Sequence, residues 1–139
     1  MHDLEIAKNR LTHENYSLVI AKSEKIVFAT RQSGVSGFLQ AIDKFSKDDL
    51  ASSFVADRVV GRAAAMLCVY CCVKAVYAVV LSETGKEVLE KNGIPFQFES
   101  LVPNILNRQK TATCPFEQIV SSISEAEEAY KKLKSCVKK

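Results

Sequence analysis

Apolar and polar residues follow one another along the chain with the spacing of helices and strands in turn. Near the N-terminus, DLEIAKNRLTHE has apolar residues at helical spacing and predicts a short amphipathic helix. Two β-rich runs come next, YSLVIAK and KIVFAT. Because only a tight turn around Ser23 and Glu24 separates these runs, they are expected to pair as a hairpin.

Helices and strands alternate through the middle of the chain. The segment VSGFLQAIDKF predicts a helix whose apolar residues share one face, and SSFVA predicts a short buried strand. The stretch VADRVVGRAAAMLCVYCC then predicts a helix from about Arg58 to Cys72.

Two further strands, with a helix between them, complete the pattern. AVYAVVLS is a continuous apolar run, typical of a strand that is buried on both faces of a sheet. TGKEVLEKNG predicts a helix that ends at Gly93, the usual place for a C-cap glycine, and PFQFES predicts the last clear strand. This order of elements predicts an α/β fold, a three-layer α/β/α sandwich with a mixed sheet between helices.

Length and composition indicate a single globular domain. The 139 residues are enough for one domain over 1–139, with a helical segment from about residue 115 at its C-terminal end. Apolar residues make up 47% of the chain and charged residues 25%, which is typical of a globular protein. The net charge of +3 is small and forms no basic block, so no nucleic-acid partner is expected.

The N-terminal residues and the cysteines bear on the location of the protein. MHDLEIAKNR lacks the apolar core of a signal peptide, and no apolar run approaches membrane-spanning length, so no membrane partner is expected. The five cysteines are an odd number and three of them are clustered. Reduced thiols explain this pattern more simply than a disulfide framework, which predicts a cytoplasmic protein.

The helix predicted from Arg58 is apolar on all sides. Such a helix has to be covered both by the sheet and by something else. In so short a chain a second subunit is a natural candidate for the other cover, which predicts a homo-oligomer such as a dimer. One side carries the small residues Gly61, Ala64, Ala65, Cys68, Cys71 and Cys72, and the other carries Val59, Ala63, Met66, Val69 and Tyr70.

The three clustered cysteines admit two interpretations. Cys68 and Cys71 form a C-x-x-C pair that could hold a metal ion, but no second pair or polar partner accompanies them. Packing of Cys68, Cys71 and Cys72 in the core is favoured instead. The sequence therefore predicts no bound metal and no cofactor.

Charged residues lie where the short strand meets this helix. Asp57 is placed to cap the first amides, and Arg58 and Arg62 lie four residues apart on one face of the first turns. Positive side chains oppose the helix dipole at an N-terminus, so an anion held by the two guanidinium groups and by the amides near Gly61 would explain them. The alternative is that both arginines pair with Asp57 and another carboxylate.

A second candidate site lies in VPNILNRQKTATCPFEQIV. Pro115 fits the first position of a helix, which places Cys114 at the N-cap and Glu117 at the third helical position, as in a capping box. A thiol at a helix N-terminus is a candidate nucleophile, although Glu117 would repel its thiolate and no histidine is near in sequence. The alternative for Cys114 is packing or ligand contact.

The loop before this helix and the segment after it hold further candidate contacts. Asn107 and Arg108 are candidate ligand contacts, or else part of a solvated turn. Beyond Pro115 an apolar seam with spacings of four and three residues either docks on the body of the protein or pairs with another subunit. It comprises Ile119, Ile123, Ala126, Tyr130, Leu133 and Val137.

Three motifs together carry a resemblance to a known family. DRVVGRAAA, LVPNILNR and TCPFE, at these intervals, resemble the bacterial and archaeal family called domain of unknown function 1893. The resemblance implies the cytidine-deaminase fold, a three-layer α/β/α sandwich. The family usually has Lys where this chain has Arg58 and Arg62, and tends to have Pro where this chain has SGVSGF.

The implied fold raises the possibility of a zinc-dependent deaminase. Such enzymes need His-x-Glu at the start of one helix and Pro-Cys-x-x-Cys at the start of the next. The only histidines are His2 and His13, and the corresponding helix starts are SGVSGF and VADRVVG. The sequence therefore predicts that the chain is not a zinc deaminase acting by that mechanism.

Three functions remain open from the sequence. The first is a binding module, with a deaminase-like fold and no zinc ligands, that holds a small anionic or nucleotide-like metabolite. The second is an enzyme that uses Cys114, or the Asp57–Arg58 pair, on such a ligand. The third is a non-catalytic assembly subunit in which the charges are structural. The candidate ligand-binding residues are Asp57, Arg58, Gly61, Arg62, Asn107, Arg108, Cys114 and Glu117.

Overall fold

Six helices and five strands alternate along the part of the chain that the computed structural model describes, residues 2–32, 35–105 and 114–137. α2 changes direction at Ser46, where φ is 72°, just beyond the end of the predicted helix. In chain order the elements are α1 (His2–His13), β1 (Leu18–Lys22), β2 (Lys25–Thr30), α2 (Val35–Leu50), β3 (Phe54–Val60), α3 (Arg62–Tyr70), β4 (Ala75–Ser82), α4 (Glu83–Lys91), β5 (Phe96–Val102), α5 (Pro115–Val120) and α6 (Ala126–Val137).

The five strands form one mixed sheet in the order β2-β1-β3-β4-β5. β1 is antiparallel to β2 and β3, whereas β3, β4 and β5 are parallel. The predicted hairpin is confirmed: Ser23 and Glu24 join β1 to β2 with positive φ angles of 55° and 65°, which suit the twist of a two-residue hairpin. The apolar run AVYAVVLS is β4, which pairs with β3 and β5 and is buried on both faces as predicted, with Val76 in one core cluster and Tyr77 in the other.

Helices cover both faces of the sheet, as the element order predicts. Among the described helices, α1 is the one that packs on the first face, where Leu4 and Leu11 are almost fully buried against β1, β3 and β4. Because burying a leucine side chain contributes about 1.5–3 kcal/mol, these residues hold α1 on the sheet. On the other face α3 is central and contacts α2, α4, α5 and α6. Within the described ranges, none of the helices combines the length and the hydrophobicity needed to cross a bilayer.

The boundary between β3 and α3 differs from the prediction. The helix was expected from about Arg58, but β3 continues to Val60 and α3 begins at Arg62. Val59 and Val60 extend the parallel ladder with β4, and β-branched residues favour a strand over a helix. Gly61 then lies at the N-cap of α3 in an extended conformation.

The chain itself covers the outer side of α3. The helical segment from Pro115 is divided into α5 and α6, and α6 packs along α3 with Ala129 and Leu133 fully buried. The rings of Tyr70 on α3 and Tyr130 on α6 stack with centroids 4.4 Å apart. The cover that suggested a second subunit is therefore supplied within the chain, and the predicted oligomer needs another basis.

Candidate functional site

The N-terminus of α3 is occupied by a carboxylate of the chain itself. Glu117 on α5 accepts a hydrogen bond from the backbone N–H of Arg62 to Oε1 and one from Ala63 to Oε2, both at 2.8 Å. Gly61 allows this approach, because a Cβ there would lie 2.6 Å from the carboxyl carbon of Glu117. The position predicted for an external anion thus holds Glu117, which caps α3 across 55 residues of sequence.

Arg62 returns the contact from α3 to the end of α5. Its Nε donates to the carbonyl oxygen of Val120 at 3.0 Å, and its Nη2 donates to that of Ile123. A guanidinium group has five N–H donors, so three remain after these two bonds. Within the described part of the chain, no carboxylate forms an ion pair with the Arg62 guanidinium.

The N-terminus of α4 lies beside that of α3. The hydroxyl of Ser82 caps α4 by accepting from the backbone N–H of Gly85 at 2.9 Å, and it lies 3.2 Å from the hydroxyl of Thr84. A Cβ on Gly85 would lie only 2.9 Å from the carbonyl oxygen of Gly61. Two glycines therefore bring the positive ends of two helices together at one edge of the sheet.

A cleft of about 330 Å³, here called the strand-end cleft, opens at this edge. It lies where the parallel strands β3, β4 and β5 end, the usual place for ligands in open α/β sheets. Its lining residues are Arg62, Thr84, Asn104, Ile105, Glu117, Gln118 and Ser121.

A second cleft, of about 390 Å³, lies further along α3, beside α4 and the start of α6. It is larger and shares Arg62, but it lies on the flank of the helices and away from the strand ends. Of the predicted site residues that the structure describes, only Arg62 lines it, whereas the strand-end cleft holds both Arg62 and Glu117. We therefore take the strand-end cleft as the candidate site.

Asp57 does not cap α3, contrary to the prediction. It lies within β3 and is buried, and its carboxyl Oδ1 accepts from the backbone N–H of Val59 at 3.3 Å. Burial raises the pKa of this carboxyl from 3.8 to about 7, against the smaller opposing effect of the backbone N–H groups of Val59 and Arg58. Asp57 does not line the strand-end cleft.

Arg58 and Arg62 do not share a helix face, and this prediction is wrong. The Arg58 side chain lies on the α1 side of the sheet, where Nε donates to the carbonyl oxygen of Tyr16 at 2.6 Å and Nη2 to that of Leu11 at 2.9 Å. Leu11 is in the last turn of α1, so the guanidinium caps the negative end of that helix. Neither arginine pairs with Asp57; both bind main-chain carbonyls.

Cys114 lies at the N-cap of α5 as predicted, but the predicted capping box is absent. Its thiol makes no capping hydrogen bond, and its backbone N–H donates to the carbonyl oxygen of Ile105 at 2.9 Å. Glu117 reaches α3 and not back to Cys114. Both histidines of the chain, His2 and His13, are on α1, across the sheet from α5. A Cys–His pair involving Cys114 is therefore excluded by the fold.

Two of the three clustered cysteines pack in the core, and the prediction that Cys72 packs there as well is wrong. Cys68 and Cys71 are buried, whereas Cys72 is exposed. Burial, with a smaller contribution from Cys72, raises the pKa of the Cys71 thiol to about 12, and burial raises the pKa of Cys68 well above its ordinary value. Among the residues that the structure describes, no three His, Cys, Asp or Glu side chains are grouped so as to hold a metal ion. The Cys68 and Cys71 thiols are therefore protonated packing groups at neutral pH.

Comparison with known proteins assigns the family. The family model described as "Domain of unknown function (DUF1893)" matches residues 6–137. The chain belongs to this family. The crystal structure of a DUF1893 family protein (TM1506) from Thermotoga maritima is similar, with a TM-score of 0.88 and 25% sequence identity, over 96% of this chain and 89% of that one. No curated protein matches the chain.

The remaining motif of this DUF1893 protein extends beyond the residues that the structure describes. Asn107 and Arg108 fall in the range 106–113, outside those residues, so their role as ligand contacts stays a prediction. The described residues on either side of this range, Ile105 and Cys114, are joined by a backbone hydrogen bond, and Ile105 lines the strand-end cleft.

Several residues of the cleft were missed from the sequence. Thr84 and Asn104 follow the ends of two parallel strands, β4 and β5, and the strand-end rule could have singled them out. Ser121 follows α5, and no sequence signal marked it. Of the predicted residues, the structure brings Gly61, Arg62 and Glu117 together.

Proposed function

We propose that this DUF1893 protein binds a small anionic or nucleotide-like metabolite in the strand-end cleft. The observation that carries the proposal is the environment of the Arg62 side chain. Arg62 is half-buried and lines the cleft, and no described carboxylate is paired with its guanidinium. A cation removed from water without a negative partner is costly, so an anionic ligand would be stabilised there.

The electrostatics of the cleft support an anion on balance. The positive ends of α3 and α4 meet beside it, and Arg62 adds a full positive charge. Glu117 is the only carboxylate among the described lining residues, and each of its oxygens already accepts an N–H of α3. The three guanidinium donors that bond to none of the described residues match the oxygens of a phosphate or carboxylate group.

Neutral polar groups give the cleft its means of selecting a ligand. Thr84, Asn104 and Ser121 supply two hydroxyls and an amide around the rim. The Ser121 hydroxyl donates its proton to the carbonyl oxygen of Gln118, which leaves its lone pairs to accept from a ligand. Such groups suit the hydroxyls of a sugar or the edge of a base, which fits a nucleotide-like molecule or a sugar phosphate.

The enzyme hypothesis has less support. Cys114 has no histidine on its side of the sheet, and Glu117, the nearest acid in its helix, is engaged at the N-terminus of α3. Without a base the thiol has no means of activation. We further propose a cytoplasmic location, because the cysteines of the described residues are free and two of them are buried in the core.

A thermal-shift screen against nucleotides and sugar phosphates tests the proposal. A ligand at 100 times its Kd stabilises the folded state by about 2.7 kcal/mol, which raises Tm by several degrees. Ser121→Ala removes a rim hydroxyl and should reduce the shift. Ser135→Ala is a matched control on α6: both hydroxyls donate to the carbonyl three residues earlier, at 2.9 Å.

The two outcomes of this screen are distinct. A ligand whose stabilisation falls with Ser121→Ala and persists with Ser135→Ala supports binding in the strand-end cleft. The proposal fails if no anion in the screen raises Tm, or if the two variants respond alike to every ligand that does.

A further inference from the structure

The outer edge of β5 is exposed and unpaired in the described part of the chain. β5 lies at the end of the sheet, and its outer side pairs with no strand of the described residues. Its five central residues are exposed, with Phe98 at 38% and Leu101 at 41%. Phe96 and Phe98 stack on one face, and Tyr77 donates to the carboxylate of Glu99 at 2.8 Å on the other.

The register of β5 fixes which backbone groups point outward. Val76 donates to the carbonyl oxygen of Pro95, and β4 and β5 continue from there as a regular parallel pair. Alternate residues of a parallel strand turn both backbone groups toward the same neighbour. The N–H and C=O of Phe96, Phe98 and Ser100 are therefore directed away from β4, ready to pair with another strand.

The two edges of the sheet differ in their protection. Edge strands are usually guarded by lysines, prolines or bulges that prevent pairing with another chain. β2, at the opposite edge, begins with Lys25 and is paired to β1 through an irregularity at Ile20/Ala21. β5 lacks both a lysine and an irregularity in its pairing with β4. It also has no proline or glycine, and its one charged residue is Glu99.

The sequence of β5 favours one register for a two-fold pair of β5 strands from two copies of the chain. In a two-fold antiparallel pair the axis passes between the two copies of one residue, because residues directly opposite each other have their side chains on the same face of the sheet. An axis at Glu99 would set two carboxylates against each other, whereas an axis at Phe98 sets Gln97 against Glu99 of the second copy. That register also brings the two Phe98 rings together and pairs Phe96 with Ser100 of the second copy.

From this self-complementarity we propose that two copies of the chain pair through β5, forming a continuous ten-stranded sheet with its two-fold axis at Phe98. The outward N–H and C=O groups of Phe96, Phe98 and Ser100 exchange hydrogen bonds with the second copy. The amide of Gln97 donates to Glu99 of the second copy, whose carboxylate is already oriented by Tyr77. The aromatic pair of each copy extends into a row of four rings.

Sedimentation and hydrogen exchange test the pairing. Wild-type protein should sediment as a dimer that dissociates on dilution. Phe98→Lys places two like charges at the axis, and Ser100→Pro removes an outward N–H without removing a bond to β4, so both should give monomers. Val59→Lys is the control, because Val59 is equally exposed, at 40%, but lies on the interior strand β3.

Amide exchange on the wild-type protein gives a result that does not depend on any variant folding. The amides of Phe98 and Ser100 should become protected as concentration rises, while those of Gln97 and Glu99, bonded to β4, stay protected throughout. The proposal is overturned if the protein is a monomer at every concentration, if a dimer survives in folded Phe98→Lys and Ser100→Pro, or if the Phe98 and Ser100 amides exchange at the same rate in concentrated and dilute samples.

Discussion

Glu117 and Arg62 each stabilise the helix to which the other belongs. The Glu117 carboxylate on α5 accepts the first N–H groups of α3, and the Arg62 guanidinium on α3 donates to carbonyl oxygens at the end of α5 and just after it. A helix as short as α5, with six residues, has little stability of its own. This reciprocal contact therefore holds α5 against the strand-end cleft.

Glu117→Ala should lower the free energy of unfolding by about 2 kcal/mol, since loss of a helix cap costs about 0.5–2 kcal/mol and hydrogen bonds to charged groups about 1.5–3 kcal/mol each. Urea denaturation measures the change. Glu128→Ala, an exposed carboxylate on α6, is the control and should change stability by less than about 0.5 kcal/mol. Equal effects of the two substitutions would show that the Glu117 cap contributes nothing.

Gly61→Ala should destabilise the protein through Glu117 alone. The φ of Gly61 is −103°, which alanine adopts freely, so the cost comes from the Cβ placed 2.6 Å from the carboxyl carbon of Glu117. A double-mutant cycle with Glu117→Ala measures this. Gly61→Ala should cost about 1–3 kcal/mol in the wild-type background and much less once Glu117 is alanine. Additive effects of the two substitutions would contradict the close contact.

The parts of the fold that were predictable from the sequence are those set by local pattern. The hairpin at Ser23 and Glu24 and the buried strand AVYAVVLS depend on residues within one or two elements, and both are confirmed. The end of β3 was not predictable in this way. Val59 and Val60 fit the apolar period of the following helix, but pairing with β4 holds them in the sheet.

The candidate site was only partly predictable, because its contacts join distant segments. The charges around Gly61 predicted an external anion at the N-terminus of α3, whereas that position holds the carboxylate of Glu117, 55 residues away. The sequence could not show that the Arg58 side chain would bond to α1 and the Arg62 side chain to α5, because these contacts depend on where β3 ends. The periodicity of a helix predicted that the two arginines lie on one face. Because β3 continues to Val60, Arg58 lies in the strand and Arg62 in the helix.

Arg58→Ala and Arg62→Ala should both destabilise the fold but affect different surfaces. Each guanidinium donates to two main-chain carbonyls, so each substitution should cost about 2 kcal/mol. Only Arg62 lines the strand-end cleft. With any ligand found by the thermal-shift screen, Arg58→Ala should keep the ligand-induced rise in Tm, and Arg62→Ala should lose it. Loss of the rise in both variants would indicate an indirect effect of lowered stability.

The buried carboxyl of Asp57 should make the protein less stable as pH rises from about 4 to 7. Its pKa is 3.8 in the unfolded chain and about 7 in the folded protein, so the folded state binds the proton more tightly. The stability that this proton contributes is fully present below pH 3.8 and is lost as pH rises through 7. The loss amounts to a few kcal/mol, because each unit of pKa difference corresponds to about 1.4 kcal/mol.

Asp57→Asn keeps an acceptor for the N–H of Val59 and cannot ionise. Urea denaturation at pH 5 and pH 8 should therefore show the variant gaining stability relative to wild type at the higher pH, because only wild type must hold a buried charge there. An unchanged difference between the two proteins across this range would mean that Asp57 is solvated in the folded state and titrates at its ordinary value.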